Sequence, residues 1–277
     1  MNGIVETTAA GLSYRRAGGG ADTPLVLLHG IGSNGGSFAA LMAALGGERT
    51  AVAWDAPGYG RSEPLAKDWP DAGDYADALA RLLDAIGIAR CILAGHSLGT
   101  LIAARFARRW PERVAALALI SPTLGYGGTP GAPLPAKVGA RIEALDRLGP
   151  AAFAAERAPG LVGDPAARPD VVAAVERAMA AIRRPGYDQA TRMLGSARLL
   201  ADAAALGVPT AVVVGTLDRI TPPPIAREVV AALPAAAAPR LVEIPGAGHA
   251  VCQEMPDAVA TVLGELAGQS PAHAAEA

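Results

Sequence analysis

The chain has 277 residues, 51% of them hydrophobic and 18% charged, with a net charge of −2. That composition excludes a disordered chain, gives no pull towards nucleic acid, and leaves enough apolar residues for the sizeable core of one α/β domain. Gly (33) and Pro (23) are abundant but follow no collagen period.

Residues 3–17 alternate weakly around Gly11 and read as a strand hairpin, followed by a loop at Gly18, Gly19 and Gly20. Residues 25–28 form a short buried strand and 37–45 a helix. A strand at 50–54 precedes a helix at 71–86, in which Ala78, Leu79, Leu82, Leu83 and Ile86 share one face. A strand at 90–94, a helix at 98–109 and a strand at 114–120 continue the alternation. Apolar runs between amphipathic helices indicate a mostly parallel sheet covered on both faces. From 122 to 200 no strand is expected. A Gly/Pro-rich stretch (123–135) leads into helices at 137–148, 151–157, 169–183 and 188–200. Strands return at 209–214 and 240–244, a last helix spans 256–266, and a small, polar tail follows. The organisation expected is a core of residues 1–122 and 201–267, a helical lid of 123–200 after the sixth strand, and a flexible tail of 268–277. A lid over the carboxyl edge of an open sheet would cover the place where such sheets bind ligands.

Cys91 and Cys252 stand far apart, without partners at disulfide-framework or metal spacing, and read as free thiols in a reducing compartment. The first sixteen residues lack a basic then apolar leader pattern. No apolar run reaches the ~18–20 residues of a membrane span, so a cytoplasmic location is expected.

Gly95-His96-Ser97-Leu98-Gly99 fits G-x-S-x-G between a strand and a helix. A nucleophile there must take a strained turn, and flanking glycines let the neighbouring backbone close around it. The Leu98 N–H then opens a helix beside the Ser97 hydroxyl and offers one oxyanion donor. A serine needs a base, and the base an orienting acid. His249, in a loop beyond the last strand, suits the base better than His29 in a glycine turn, His96 beside the serine and pointing away, or His273 in the tail. Asp218 follows the strand at 209–214 and suits the acid, which leaves Asp55, Asp202 and Asp257 to structural roles. The order Ser97, Asp218, His249 is that of the nucleophile-elbow architecture. His29-Gly30-Ile31-Gly32 offers the Ile31 N–H as the second donor, and Asp55 to Ser62 reads as a rigid turn.

These motifs resemble, in order and spacing, the α/β-hydrolase-fold serine hydrolases. The likeness lies with the capped group of esterases, 3-oxoadipate enol-lactonase-like and meta-cleavage-product hydrolase-like chains, and covers residues 3–267. The resemblance implies an α/β-hydrolase fold with an eight-stranded, mostly parallel sheet and a helical lid. It implies hydrolysis of a small carboxylic ester or lactone through an acyl-enzyme. Two alternatives stay open: carbon–carbon cleavage of a vinylogous diketone at the same residues, and a ligand-binding homologue without turnover. On the expected lid, Arg192 is the choice for a substrate carboxylate among Arg183, Arg184, Arg192 and Arg198. Val138, Ile142, Leu145, Phe153, Val171 and Met179 are candidates for the pocket wall. No cofactor or metal site is read. A small-molecule substrate is the partner expected, without nucleic acid or membrane span, and a homo-oligomer is left open.

Overall fold

Ala10 (φ 50°) and Gly11 (φ 75°) make a two-residue turn of left-handed backbone, the form that suits a twisted hairpin. It joins β1 (Val5–Ala9) to β2 (Leu12–Ala17), paired antiparallel from Val5 opposite Arg16 to Ala9 opposite Leu12. The computed structural model describes residues 3–47 and 49–268. Then come β3 (Leu25–Leu28), β4 (Ala51–Trp54), β5 (Cys91–His96), β6 (Val114–Ile120), β7 (Thr210–Gly215) and β8 (Arg240–Ile244). They build one eight-stranded sheet in the order β1-β2-β4-β3-β5-β6-β7-β8. β2 meets β4 antiparallel, and every pair from β4 to β8 is parallel. Every residue of β3, β4, β6 and β7 is buried, which is why these strands are apolar without alternation.

Helices cover both faces. α1 (Ala39–Ala44), α9 (Val251–Glu254) and α10 (Pro256–Gly268) pack one side of the sheet. α2 (Ala72–Ala85), α3 (Leu98–Arg109) and α8 (Pro223–Ala232) pack the other. α2 begins where Asp71 and Asp74 exchange bonds: the Asp71 carboxylate accepts the Asp74 N–H (3.1 Å) and Asp74 accepts the Asp71 N–H (2.9 Å). That capping box uses donors the first turn would otherwise leave free.

Between β6 and β7 lie α4 (Ala136–Arg157), α5 (Pro169–Ala180), α6 (Gly186–Ser196) and α7 (Leu199–Ala203). α4 packs on α5 and α6, whereas α7 packs on α3. α6 rests on the core through a glycine pair. A methyl on Gly58 would come within 2.3 Å of the Gly186 Cα, so the two backbones touch.

The strands match their expected positions, but several helices differ. The expected helix at 37–45 starts as a 3₁₀ turn (Gly35–Phe38), because the Asn34 side chain accepts the Gly36 N–H and tightens it. The helices at 137–148 and 151–157 are one run broken at Gly149 (φ 70°, ψ 165°). The segment at 188–200 is two helices, α6 and α7. α8 is not among the expected elements, and it opens on Pro223 and Pro224. Proline is at home in a first helical turn, whose N–H groups have no partner anyway. Gly268 ends α10, and the remainder of the expected tail, with His273, lies outside the described residues. Among the described residues no helix is long and apolar enough to cross a membrane.

Candidate active site

Ser97 stands between β5 and α3 with φ 52° and ψ −114°, a backbone that an L-residue holds only where its surroundings impose it. Two glycines make those surroundings. A methyl on Gly95 would meet the Gly99 carbonyl oxygen at 2.3 Å, and one on Gly99 would meet the Leu28 carbonyl oxygen at 2.3 Å. The turn is also bonded on both sides. The Ser97 N–H donates to the Ile120 carbonyl (2.9 Å), and the Ser97 carbonyl accepts the Thr100 N–H (2.9 Å) and hydroxyl (2.6 Å). The Ser97 hydroxyl itself is unbonded among the described residues, and Ser97 lines a cavity beyond the strand ends. Burial pushes the pKa of Cys91 and of Cys252 up to about 12 and keeps both as thiols.

His249 lines the same cavity, and Asp218 lies beneath it, with its Oδ2 2.9 Å from His249 Nδ1. A carboxylate can only accept there, so Nδ1 carries the proton and Nε2 is left with a lone pair. Thr221 was absent from the sequence reading of the site and proves to touch both groups. Its hydroxyl lies 3.0 Å from Asp218 Oδ2, 3.2 Å from His249 Nδ1 and 3.1 Å from the Ser121 carbonyl. The Ile220 and Thr221 N–H groups both reach Asp218 Oδ1 at 2.9 Å. Burial works to raise the Asp218 pKa, but the bonds from His249, Thr221 and Ile220 outweigh it and hold the carboxyl at about 2. An unfolded aspartate titrates near ~3.9. The folded carboxylate therefore stabilises the protein above that value, by about 2 kcal/mol, and the gain is lost as the pH falls through about 2. Urea unfolding at pH 6 and pH 2.5 is expected to show Asp218→Asn losing less stability on acidification than wild type, and equal losses would refute this.

His29 and His96 brace the backbone around the cavity. His29 Nδ1–H donates to the Gly30 carbonyl (2.8 Å) and Nε2 accepts the Ala56 N–H (3.0 Å), which fixes a neutral ring and ties the Gly30–Gly32 turn to the end of β4. Burial lowers its pKa in keeping. His96 does not turn away from the site, contrary to expectation. Its Nε2–H donates to the His249 carbonyl (2.8 Å), and burial, with His249 next, lowers its pKa to about 3. His96 therefore holds the His249 loop as a neutral donor. Glu254 holds it from below, accepting the Gly248 N–H (2.8 Å) and the Gly163 N–H (2.9 Å). Asp55 accepts the Ser13 hydroxyl (2.7 Å) and the Gly35 N–H (2.8 Å), and so ties β2 and the 3₁₀ turn to the end of β4.

Ile31 and Leu98 both line the cavity, and among the described residues neither N–H donates to another backbone group. The cavity holds ≈110 Å³, measured as space open to the centre of a water molecule. One water needs about 10–15 Å³ on that measure, so a small organic molecule fits. Of the apolar residues expected on the wall, Phe153 and Met179 are there, while Val138 and Leu145 pack in the interior. Arg192 is not on the wall. Its guanidinium donates to the Asp68 carbonyl (2.7 Å), on the outward side of α6. The arginines that do line the cavity are Arg141 and Arg157 of α4.

Residues 25–262 match the model of the alpha/beta hydrolase family. The chain belongs to that family. A pimeloyl-[acyl-carrier protein] methyl ester esterase of Chromobacterium violaceum is 34% identical over 254 residues, which is 90% of this chain and 92% of that protein. Among solved structures, a thermophilic esterase from Thermogutta terrifontis superposes with a TM-score of 0.80 at 26% identity, covering 95% of this chain and 97% of the other. The enol-lactonase of Burkholderia xenovorans LB400 gives 0.81 at 25% identity, covering 95% and 99%. The chain also matches the acetyltransferase components of acetoin-cleaving systems from Pseudomonas putida and Cupriavidus necator, and spans 30% of their length. The esterases and the enol-lactonase among these neighbours are hydrolytic enzymes.

Proposed function

We propose that the chain is a serine hydrolase of small carboxylic esters or lactones, with Ser97 as nucleophile, His249 as base and Asp218 as the group that orients it. One observation carries the reading. A serine with a strained left-handed backbone opens on the same cavity as a histidine whose far nitrogen is bonded to a buried carboxylate. In the proposed cycle His249 Nε2 takes the Ser97 proton as the oxygen attacks the carbonyl. Asp218 stabilises the imidazolium without itself being protonated. The Ile31 and Leu98 N–H groups, unspent in the fold, hold the oxyanion. His249 then protonates the leaving alcohol, and a water activated by the same nitrogen clears the acyl-enzyme.

The helices α4 to α6 are read as a lid, because they supply the wall facing the strand ends and so the substrate selection. Esters and lactones are preferred over carbon–carbon substrates, since two esterases and an enol-lactonase are among the relatives of 25% identity or more that match nearly the whole chain. A fluorophosphonate probe tests the reading. Covalent labelling confined to Ser97 supports it, and an unlabelled folded protein that still hydrolyses p-nitrophenyl butyrate overturns it.

A further inference from the structure

A straight helix would hold residues 141 and 157 about 24 Å apart. α4 is not straight. Gly149 leaves helical backbone at φ 70° and ψ 165°, a position open to glycine, and Pro150 disfavours helical backbone in the residue before it. The break folds the second half back, so that Arg141 and Arg157 both line the cavity of Ser97 and His249. They feel each other: after burial, the Arg141 charge does most to lower the Arg157 pKa, and the exposed Glu156 opposes it more weakly. Both charges also act on Tyr187, which lines the same wall.

Both arginines are half-buried, and among the described residues neither is ion-paired, unlike Arg105, Arg108, Arg184, Arg227 and Arg240. Two like charges brought together in a part-buried wall, without a counter-ion, are unfavourable by themselves. The Phe153 ring, 5.1 Å beneath the Arg157 guanidinium, orients it at the cavity without neutralising it.

We infer that Arg141 and Arg157 form an anion site, and that the substrate is an ester or lactone whose acyl arm ends in a carboxylate or phosphate. Apolar Val175 and Met179 on the same wall suit the methylenes of a short arm. The inference rests on the serine-hydrolase reading above, and planar guanidinium forks match either anion bidentately.

The test compares mono-p-nitrophenyl glutarate with its neutral methyl ester. Wild-type protein is expected to favour the anionic ester by about tenfold or more in kcat/KM, chiefly through KM. Arg141→Gln and Arg157→Gln should each pull that ratio towards one, and Arg157→Lys should restore part of it. A wild-type ratio near one overturns the site, whether or not the variants fold, and so does a ratio that both folded glutamine variants leave unchanged. Glutarate and inorganic phosphate are then tried as protectors of Ser97 against fluorophosphonate, and whichever protects identifies the anion. A flat ratio with intact, Ser97-dependent turnover strikes the anion site alone. Turnover that does not depend on Ser97 strikes the hydrolase reading.

Discussion

Ser97→Ala is expected to lower kcat for p-nitrophenyl acetate by about 10⁴- to 10⁶-fold while leaving the melting curve nearly in place. The two halves of that expectation have different causes. The hydroxyl makes no hydrogen bond among the described residues, so its removal deletes no stabilising contact. Alanine and serine also share the cost of the left-handed backbone at φ 52°. Turnover, by contrast, loses the atom that would form the acyl-enzyme, and only substrate binding and the two N–H donors remain. His249→Ala should cost a similar factor, and the double variant little more than either, because nucleophile and base act as one unit. Asp218→Asn should cost somewhat less, about 10⁴-fold, by favouring the wrong imidazole tautomer. A Ser97→Ala protein that keeps a tenth of wild-type kcat would move the nucleophile elsewhere.

The elbow is legible in the sequence because its demands are local. Two glycines, a strand before and a helix after are all within ten residues of Ser97, and each answers a steric rule. The pairing of Asp218 with His249 is legible for a similar reason: each residue follows a strand end. The sheet is legible as apolar runs, but its order, with β4 outside β3, is set by contacts between distant segments that no local pattern records.

The supporting groups are hidden because they act through backbone and through pairs remote in sequence. Thr221 looks like an ordinary residue before prolines until it lies against Asp218 and His249. His96 looks spent beside Ser97 until its ring meets a carbonyl 153 positions away. The arginines show where a finer reading would have succeeded. Arg141 lies three residues after buried Val138 and four before buried Leu145, in register with the apolar stripe of α4. Arg157 lies four after buried Phe153. Arg192 precedes buried Met193 and Leu194 but itself faces out, with its head on the Asp68 carbonyl. A charged residue inside an apolar stripe points to the cavity better than one merely next to it.

Gly99→Ala is expected to destabilise the protein by at least about 3 kcal/mol, although helix propensity alone argues the opposite sign. In a helix interior alanine is favoured over glycine by about 1 kcal/mol. At Gly99 the added methyl meets the Leu28 carbonyl oxygen at 2.3 Å, the Leu28 carbonyl carbon at 2.8 Å and the His29 oxygen at 3.0 Å. All three are backbone atoms of β3 and its exit, and β3 is fastened on both sides, to β4 and to β5. Neither the strand nor α3 can retreat without breaking a ladder or moving Ser97. Activity should fall with stability, since the displaced Leu28–His29 segment leads into Ile31 and its N–H. The control is Gly264→Ala in α10, an exposed helical glycine with nothing within 4 Å of the added methyl. There the same substitution should stabilise, by up to about 1 kcal/mol. Urea unfolding of the two variants beside wild type reads both signs at once. Equal and opposite shifts would still leave the elbow tight, but a Gly99→Ala protein as stable as its Gly264→Ala counterpart would mean that α3 is not pressed against β3. The constraint that holds Ser97 in its strained turn would then have to come from elsewhere.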